Sequence, residues 1–306
     1  MTQQATVLFD APGPKAKRRN FLIGVAGVGL LLLGLGWIAY RFDQTGQFDR
    51  RRWELFEYTR VQNQILDGLW ATLKAFALAV VLSLLLGALL AAGRLSEHRA
   101  VRWAATAFVT FFRAMPLLIL IFFLYLAPAY LDHWPGFLEF INDDPIWPLV
   151  IGLTLYNGTV QAETMRAGIL ALPKGQSEAA YAIGLRKSQV MVSILVPQGI
   201  RAMLPSIISQ MVVTLKDTSL GFMITYPELL YVAKLLGSQQ DYGFPFIPVA
   251  IVVGAIYILI CSLLSVLAVW VERRLSQGRK GRPPQIETPV GGTITPKPDL
   301  HAGAAV

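Results

Sequence analysis

The chain has 306 residues, of which 54% are hydrophobic and only 15% are charged, and its mean hydropathy is +0.51. A soluble domain carries about 25% charged residues, so this composition excludes a soluble enzyme or a soluble binding domain. The apolar residues also occur in runs longer than a soluble core needs. Because only helices satisfy all their backbone hydrogen bonds within one membrane-crossing segment, we predict an all-α integral membrane protein.

The net charge of +8 and the single cysteine narrow the function further. In a membrane protein, basic residues gather on the cytoplasmic side and against anionic lipid, so a positive charge does not indicate nucleic acid. Cys261 lies within an apolar run and excludes a disulfide framework or a thiolate metal cluster within this chain. The expected surroundings are therefore the lipid bilayer, with no nucleic acid partner.

Six segments of the chain are apolar enough to cross the bilayer, which takes about 20 residues. In chain order they are 21–40, 65–93, 103–131, 145–163, a segment from 197 or 202 to 223, and 242–271. Arg113 interrupts the third segment, and Pro116 is expected to kink it. Four basic residues precede the first segment as in a signal peptide, but its run is too long and no small-residue cleavage site follows. We therefore expect a retained helix at 20–40.

The distribution of Lys and Arg predicts the orientation. With the N-terminus inside, the cytoplasmic segments hold 17 basic residues and the external segments hold 6. Residues 41–65 fit least well, because they are external in this arrangement and carry five arginines. Residues 1–19 and 276–306 are polar and contain Pro and Gly, so we predict disordered cytoplasmic termini.

A long polar loop at about 172–197 is expected to lie in the cytoplasm. Pro173 and Gly175 are predicted to end the fourth span, and Ser177 to cap a short helix that carries Glu178 in its first turn. Gly184 permits a sharp turn, and Ser188 is predicted to cap a second short helix that ends at Pro197. Such a pair, with alanines at 179, 180 and 182, suits a groove on another protein. A loop that merely joins two spans is the alternative, and spacing alone does not decide between them.

The sequence of this loop resembles the EAA loop of ABC importer permeases. That pattern is Glu-Ala-Ala, three residues, Gly, nine residues, Ile, one residue, Leu-Pro. It matches here from Glu178 to Pro197, with Val196 in place of the Leu. The segments Gly93-Arg94-Leu95-Ser96, Arg113-Ala114-Met115-Pro116, Glu163-Thr164-Met165-Arg166 and Lys216-Asp217-Thr218-Ser219 are similar to the polar amino acid subfamily. The resemblance covers about 65–275 and implies a five-helix permease core, to which the helix at 20–40 is an addition.

The resemblance implies the partners and the role of the loop. In this family two permease subunits pair, each docks on an ATPase through the EAA helices, and an external binding protein delivers the substrate. The residues that this implies for coupling to the ATPase are Glu178, Ala179, Ala180, Gly184, Leu185, Ile194 and Pro197. The protein is accordingly expected in the bacterial cytoplasmic (inner) membrane.

Polar and charged residues within the spans are candidates for the substrate path, because burying a charge in hydrocarbon is costly without a partner. Glu163 and Arg166 lie three residues apart and are expected to pair on one helix face. The alternative is a salt-bridge network that only locks the helices. The candidate path and gate residues are Arg113, Met115, Pro116, Glu163, Arg166, Lys216, Asp217 and Ser219.

The sequence contains no motif for chemistry of its own. A Gly-x-x-x-x-Gly-Lys-Ser/Thr loop is absent, and the three histidines are dispersed in the sequence. We therefore expect no enzyme activity, catalytic residue, metal or cofactor in this chain, with ATP and Mg²⁺ on the partner ATPase. The alternative function is a secondary amino acid transporter or channel, which would not need an EAA loop. The segments that begin at Gln198 and Lys216 are similar to those of glutamate-type permeases, so glutamate or aspartate is the favoured substrate.

Overall fold

A computed structural model describes residues 13–130 and 140–276 of the chain, and these residues contain helices and no strands. The α-helices of the described residues are α1 (Pro14–Gln44), α2 (Arg50–Trp53), α3 (Thr59–Arg94), α4 (Arg99–Ala114), α5 (Leu117–Tyr130), α6 (Phe140–Asp143), α7 (Ile146–Leu170), α8 (Lys174–Ala182), α9 (Lys187–Val190), α10 (Val196–Asp217), α11 (Leu229–Gly237) and α12 (Phe246–Ser276). The prediction of an all-α membrane protein is confirmed.

Each predicted apolar segment coincides with helical structure, but the count of six spans stays a prediction. Within the described ranges, four stretches are long and apolar enough to cross a membrane, and a fifth is added if α4 and α5 form one bent span. These two helices meet at 98°, so the kink predicted at Pro116 is a sharp break. Helix α7 does not pass the same test, although it has 25 residues. Its polar and charged side chains lower its mean hydropathy, and several of them bond to polar groups of the bundle.

The centre of the bundle is formed by α3, α7 and α10, which approach closely at glycines. A Cβ atom on Gly87 of α3 would lie 2.8 Å from the Cβ atom of Gln161 on α7. A Cβ atom on Gly168 of α7 would lie 2.5 Å from the Cε atom of Met203 on α10. Small residues at helix contacts allow the backbones to approach within the membrane. This packing fixes the positions of the polar side chains that α7 carries.

A second cluster joins α3 to α11 and α12 at the opposite end of the bundle from the 172–197 loop. Leu55 is fully buried there against Val61 and Ile65 of α3 and Leu229 of α11. The Arg51 Nη2 atom donates a hydrogen bond to the Asp241 carbonyl oxygen at 3.1 Å. The arginine-rich segment that follows α1 therefore packs on the bundle instead of extending away from it.

Helix α1 contributes nothing to this core, since none of its residues is buried. It begins at Pro14, so residues 14–19 are helical, and their assignment to a disordered terminus is wrong. Proline at the first helical position is already fixed near the helical φ angle and has no N–H to leave unpaired, which explains the early start. Ser276, where the predicted tail begins, is the last residue of α12. Residues 1–12 and 277–306 of the predicted terminal segments lie outside the described residues.

Candidate functional site: a helical loop and polar groups within the spans

Three residues separate α7 from α8, the nine-residue helix of the EAA-like loop. Pro173 precedes α8, and the Ser177 hydroxyl donates a hydrogen bond to the Lys174 carbonyl oxygen at 2.8 Å within its first turn. The prediction that Ser177 caps this helix is therefore wrong, because Pro173 starts the helix one turn earlier. Glu178 and Ala179 are exposed, whereas Ala180 is buried.

Gly184 makes the sharp turn that the sequence predicts. It has a φ angle of +84°, in the left-handed region that favours glycine. The Gly184 N–H donates to the Tyr181 carbonyl at 2.9 Å, and the Leu185 N–H donates to the Ala180 carbonyl at 3.2 Å. This pair of bonds is a Schellman motif, which satisfies the last carbonyls of α8. Leu185 and Ala180 thus hold the turn itself.

The second half of the loop differs from its prediction in two respects. Arg186 is the N-cap of α9, and its N–H donates to Gln189 Oε1 at 2.9 Å, so Ser188 lies inside the helix. Helix α9 does not end at Pro197, because a π-helical segment from Met191 to Leu195 joins it directly to α10. Pro197 lies at the start of α10, directly after the π-helical segment. Ile194 lies within the π-helical segment.

Two exposed apolar side chains of the loop stand at positions that the EAA pattern leaves unspecified. Tyr181 of α8 has 46% of its surface exposed, and Ile183, the residue that follows α8, has 78% exposed. Their neighbours in the EAA pattern are small, so the pattern itself does not mark them.

The Glu163 carboxylate forms ion pairs with three arginines, which lie on three helices. Its Oε1 atom accepts a hydrogen bond from Arg166 Nη2 at 2.6 Å, and its Oε2 atom bonds Arg94 of α3 and lies 3.7 Å from Arg113 Nη1 of α4. The predicted pairing of Glu163 with Arg166 is observed. Arg94 was not among the candidate residues. The signal that could have found it is its position as the last residue of a long apolar run.

Within this arginine cluster, the side chains differ in exposure. Arg94 is 13% exposed, Arg166 is 29% exposed and Arg113 is 47% exposed. The Nε atoms of Arg94 and Arg166 are buried without a hydrogen-bond partner among the described residues. The cluster therefore holds three positive charges against one negative charge. Arg113, which is the most exposed, stands two residues before Met115 and Pro116 at the break between α4 and α5.

The candidates at the end of α10 form a second, separate group. Lys216 is exposed, and its ammonium interacts electrostatically with Asp217, which is close to the Asn157 amide of α7. The Gln210 amide donates to Asn157 Oδ1 at 2.8 Å. The Ser219 hydroxyl donates to the Lys216 carbonyl at 2.7 Å. Among the described residues, no ion pair joins this group to the arginine cluster, so the path candidates lie at two levels of the bundle.

One face of α10 carries polar side chains to the surface. Five of the exposed residues recur at three- and four-residue spacing, as expected of one helix face; they are Ala202, Ser206, Ser209, Val213 and Lys216, and we call this set the α10 stripe. In the described structure, Ser206 and Ser209 make no hydrogen bond through their hydroxyls. Polar groups and a cation on a lipid-exposed surface are costly, so the stripe favours contact with protein or water.

The described residues form a bundle of apolar helices with charged groups inside the spans and a helical loop between α7 and α10, an arrangement that fits a membrane transport subunit. The family model described as "Binding-protein-dependent transport system inner membrane component" matches residues 61–277. The chain belongs to this family, and it is a multi-pass inner membrane permease of the polar amino acid ABC transporter type. Membership implies an ATPase and a substrate-binding protein as partners.

Curated relatives and solved structures agree with this assignment. The chain is 41% identical over 235 residues to the glutamate transport system permease protein GluD of Corynebacterium glutamicum, which covers 76% of this chain and 83% of that protein. It is 34% identical over 211 residues to the glutamate/aspartate import permease protein GltK of Escherichia coli, at 69% and 92% coverage. A crystal structure of an amino acid ABC transporter superposes with a TM-score of 0.61 at 26% identity and covers 72% of this chain and 97% of that chain.

Proposed function

We propose that this permease carries acidic amino acids, with glutamate or aspartate favoured, and that Lys216 binds a carboxylate of the substrate on the way through. The observation that carries the proposal is an exposed lysine on the α10 stripe, inside the continuous helical stretch Lys187–Ile224. The relatives named for glutamate and for glutamate/aspartate support this choice of substrate. An ammonium group facing an aqueous path attracts a dicarboxylate and repels a cationic amino acid.

The α10 stripe is proposed to face a second permease subunit, of the same or a related chain, across the translocation path. The stripe has hydroxyls and a cation where lipid contact would be unfavourable. Asp217 is less exposed than Lys216 and is therefore a weaker repellent of an acidic substrate than its position next to Lys216 suggests. The Ser219 hydroxyl is bonded to the Lys216 carbonyl, and the two residues line one small pocket together with Leu230 and Tyr257.

The loop at 172–197 is proposed to couple the path to the ATPase, which holds ATP and Mg²⁺, with both termini of this chain in the cytoplasm. Glu178, Ala179 and Gly184 present the docking surface and its turn, and Ile194 and Pro197 lie where the loop joins α10. Glu163 is seven residues from the end of α7 and binds Arg113 beside the break at Met115–Pro116. A movement of α8 thus reaches the break between α4 and α5 through α7 and its ion pairs.

Uptake into proteoliposomes tests both parts of the proposal. The permease is reconstituted with its ATPase and its binding protein, and labelled glutamate competes with aspartate, arginine and glutamine. We expect aspartate to compete best and Lys216→Met to lower glutamate uptake at least tenfold. Lys234→Met, which removes a lysine from α11 away from the stripe, is the matched control.

The two parts fail differently. If labelled glutamate is not taken up, if aspartate does not compete with it, or if Lys216→Met and Lys234→Met behave alike, the substrate assignment is wrong and the coupling assignment stands. Glu178→Arg is expected to abolish uptake and the co-purification of the ATPase while the protein remains inserted. Retained co-purification and wild-type uptake in that variant would contradict the coupling role of the loop.

A further inference from the structure

A cavity of about 650 Å³ lies beside the EAA-like loop, between α3, α7 and the helix that runs from α9 into α10. This volume falls within the range of small-molecule sites, about 300–1,000 Å³. The walls carry small or flexible apolar side chains; they are Ala88 and Ala92 of α3, Met165 and Ile169 of α7, and Val196 and Ile200 of α10. We call this cavity the apolar slot.

The apolar slot is open along its side to the surroundings of the bundle. Ala88 and Ala92 are exposed although they line it, Val192 of the π-helical segment is 69% exposed, and Ile200 is 48% exposed. Both α3 and the stretch from α9 through α10 qualify as membrane spans. The exposed surfaces of such helices contact hydrocarbon, so a lipid chain reaches the slot directly from the bilayer.

The end of the slot next to the EAA-like loop is lined by charged and polar groups. Ser96, Glu97 and His98 follow α3 there, and Lys187 begins α9 opposite them. The Lys187 ammonium lies 3.2 Å from the Glu97 carboxylate, with the two side chains 39% and 71% exposed. The Arg102 Nη1 atom donates to the Ser96 carbonyl at 3.0 Å. Two basic side chains, those of Lys187 and Arg102, therefore lie at this mouth beside the Glu97 carboxylate.

We propose that the apolar slot binds an anionic phospholipid of the cytoplasmic leaflet, with one acyl chain between α3 and α10 and the phosphate at the mouth beside Lys187 and Arg102. Basic pockets between membrane helices on the cytoplasmic side recognise anionic head groups. The assignment of the leaflet rests on the proposed cytoplasmic position of the 172–197 loop; the binding of the lipid does not.

The chemistry of the walls selects this occupant over others. The interior offers apolar side chains, so a zwitterionic amino acid would leave its charges without partners. An extended peptide would leave its backbone groups unpaired for the same reason. A phospholipid places methylenes against the apolar walls and charge at the mouth. The Lys187–Glu97 ion pair competes with the phosphate, so Glu97 lowers the affinity that Lys187 provides.

Photocrosslinking on the full-length purified chain in lipid nanodiscs tests the proposal without any transport assay. Phosphatidylglycerol or phosphatidylcholine carries a photoactivatable group on one acyl chain, and mass spectrometry maps the labelled peptides. Ala88→Trp fills the slot from an exposed position. Leu89→Trp is the matched control, because the side chain of Leu89 is 70% exposed and does not line the slot.

The expected result is phosphatidylglycerol labelling of α3, α7 and α10 that falls several-fold in Ala88→Trp and is unchanged in Leu89→Trp. Removing one basic group near a membrane surface lowers anionic lipid binding about fivefold, so Lys187→Ala is expected to do so. Glu97→Gln is expected to raise the labelling, because it frees Lys187. The accessibility of the thiol in Glu97→Cys, made together with Cys261→Ala, reports separately which side the mouth faces.

Equal labelling by the two lipids, together with no change in Ala88→Trp, would overturn the proposal. If Ala88→Trp instead leaves labelling intact but alters the association of two permease chains in native mass spectrometry, the slot belongs to a subunit contact. An external cysteine at position 97 with preserved phosphatidylglycerol preference would contradict the proposed orientation and leave the lipid site in place.

Discussion

The Arg166 Nη2 atom lies 2.6 Å from the Glu163 Oε1 atom, one turn away on α7. The Glu163 carboxylate also pairs with Arg94 of α3 and Arg113 of α4. A single side chain therefore ties three helices together at the level where α7 approaches the EAA-like loop. Because the carboxylate is the only negative charge of this cluster, its removal leaves three guanidinium groups to repel one another in a partly buried site.

Glu163→Gln is expected to destabilise the bundle and to abolish coupled uptake. Removing one partner of a fully buried ion pair costs about 3–5 kcal/mol, and partial exposure of this cluster reduces the expected loss of unfolding free energy to about 2 kcal/mol. Thermal unfolding in detergent measures the loss. Glu97→Gln, which breaks an exposed ion pair with Lys187, is the control and is expected to have little effect on stability.

Comparing Glu163→Gln with Glu97→Gln shows whether the loss of stability comes from the arginine cluster or from the loss of any ion pair. If Glu163→Gln unfolds at the same temperature as Glu97→Gln and transports normally, the shared carboxylate neither braces the helices nor transmits movement. If it is destabilised but transports at the wild-type rate per folded molecule, the cluster has only the structural role that the sequence left open.

Gly184 variants are expected to rank by their tolerance of a positive φ angle. The left-handed conformation costs a residue with a Cβ atom about 1–2 kcal/mol, so Gly184→Ala is expected to weaken uptake, and Gly184→Asn to weaken it less. Gly184→Pro is expected to abolish uptake, since proline fixes φ near −65° and removes the N–H that bonds Tyr181. Membrane fractions confirm that each variant is inserted, and an inserted Gly184→Pro protein with normal uptake would contradict the assignment.

The contact between α7 and α10 is expected to tolerate no side chain at Gly168. A Cβ atom there would lie 2.5 Å from the Cε atom and 3.0 Å from the Cβ atom of Met203. Overpacking of this kind costs about 1–3 kcal/mol, so Gly168→Leu is expected to lower the unfolding temperature. Gly254→Leu is the matched control, because a Cβ atom on Gly254 of α12 meets nothing within 4 Å. Equal unfolding temperatures for the two variants would show that the two helices are not held in close contact.

The apolar runs, the break at Pro116 and the turn at Gly184 could be predicted because each depends on local chemistry. Hydrocarbon length fixes the runs, and a missing N–H or a missing Cβ atom fixes the break and the turn. The pairing of Glu163 with Arg166 was also predictable, since spacing on one helix determines it.

The helix ends and the partners from other helices could not be predicted in this way. Ser177 and Ser188 have the side chains of N-caps, but Pro173 and Arg186 start the helices earlier, and a π-helical segment carries α9 past Pro197. Arg94 and Glu163 are 69 residues apart in the chain and meet only because α3 packs on α7. Neither residue alone indicates the other in the sequence.

Glu228 lies outside the candidate spans, between the one that ends at Ile224 and the one that begins at Phe246, and it is fully buried. Its carboxylate caps α11 by accepting the N–H groups of Leu230 at 2.8 Å and Tyr231 at 2.7 Å, and it accepts the Tyr257 hydroxyl at 2.8 Å. Desolvation by burial outweighs these hydrogen bonds and raises the pKa of Glu228 from 4.5 to about 7.

The raised pKa of Glu228 predicts that its contribution to stability decreases as the pH rises. The folded state holds this proton more tightly than the unfolded state, so the free energy of unfolding falls between about pH 4.5 and pH 7 and is level above that range. Glu228→Gln is expected to remove this part of the slope, and Tyr257→Phe to shift it to higher pH, because the lost hydrogen bond favours the ionised form. Unfolding temperatures across this range, with exposed Glu57→Gln as control, measure both effects; an identical slope in Glu228→Gln would show that Glu228 does not titrate there.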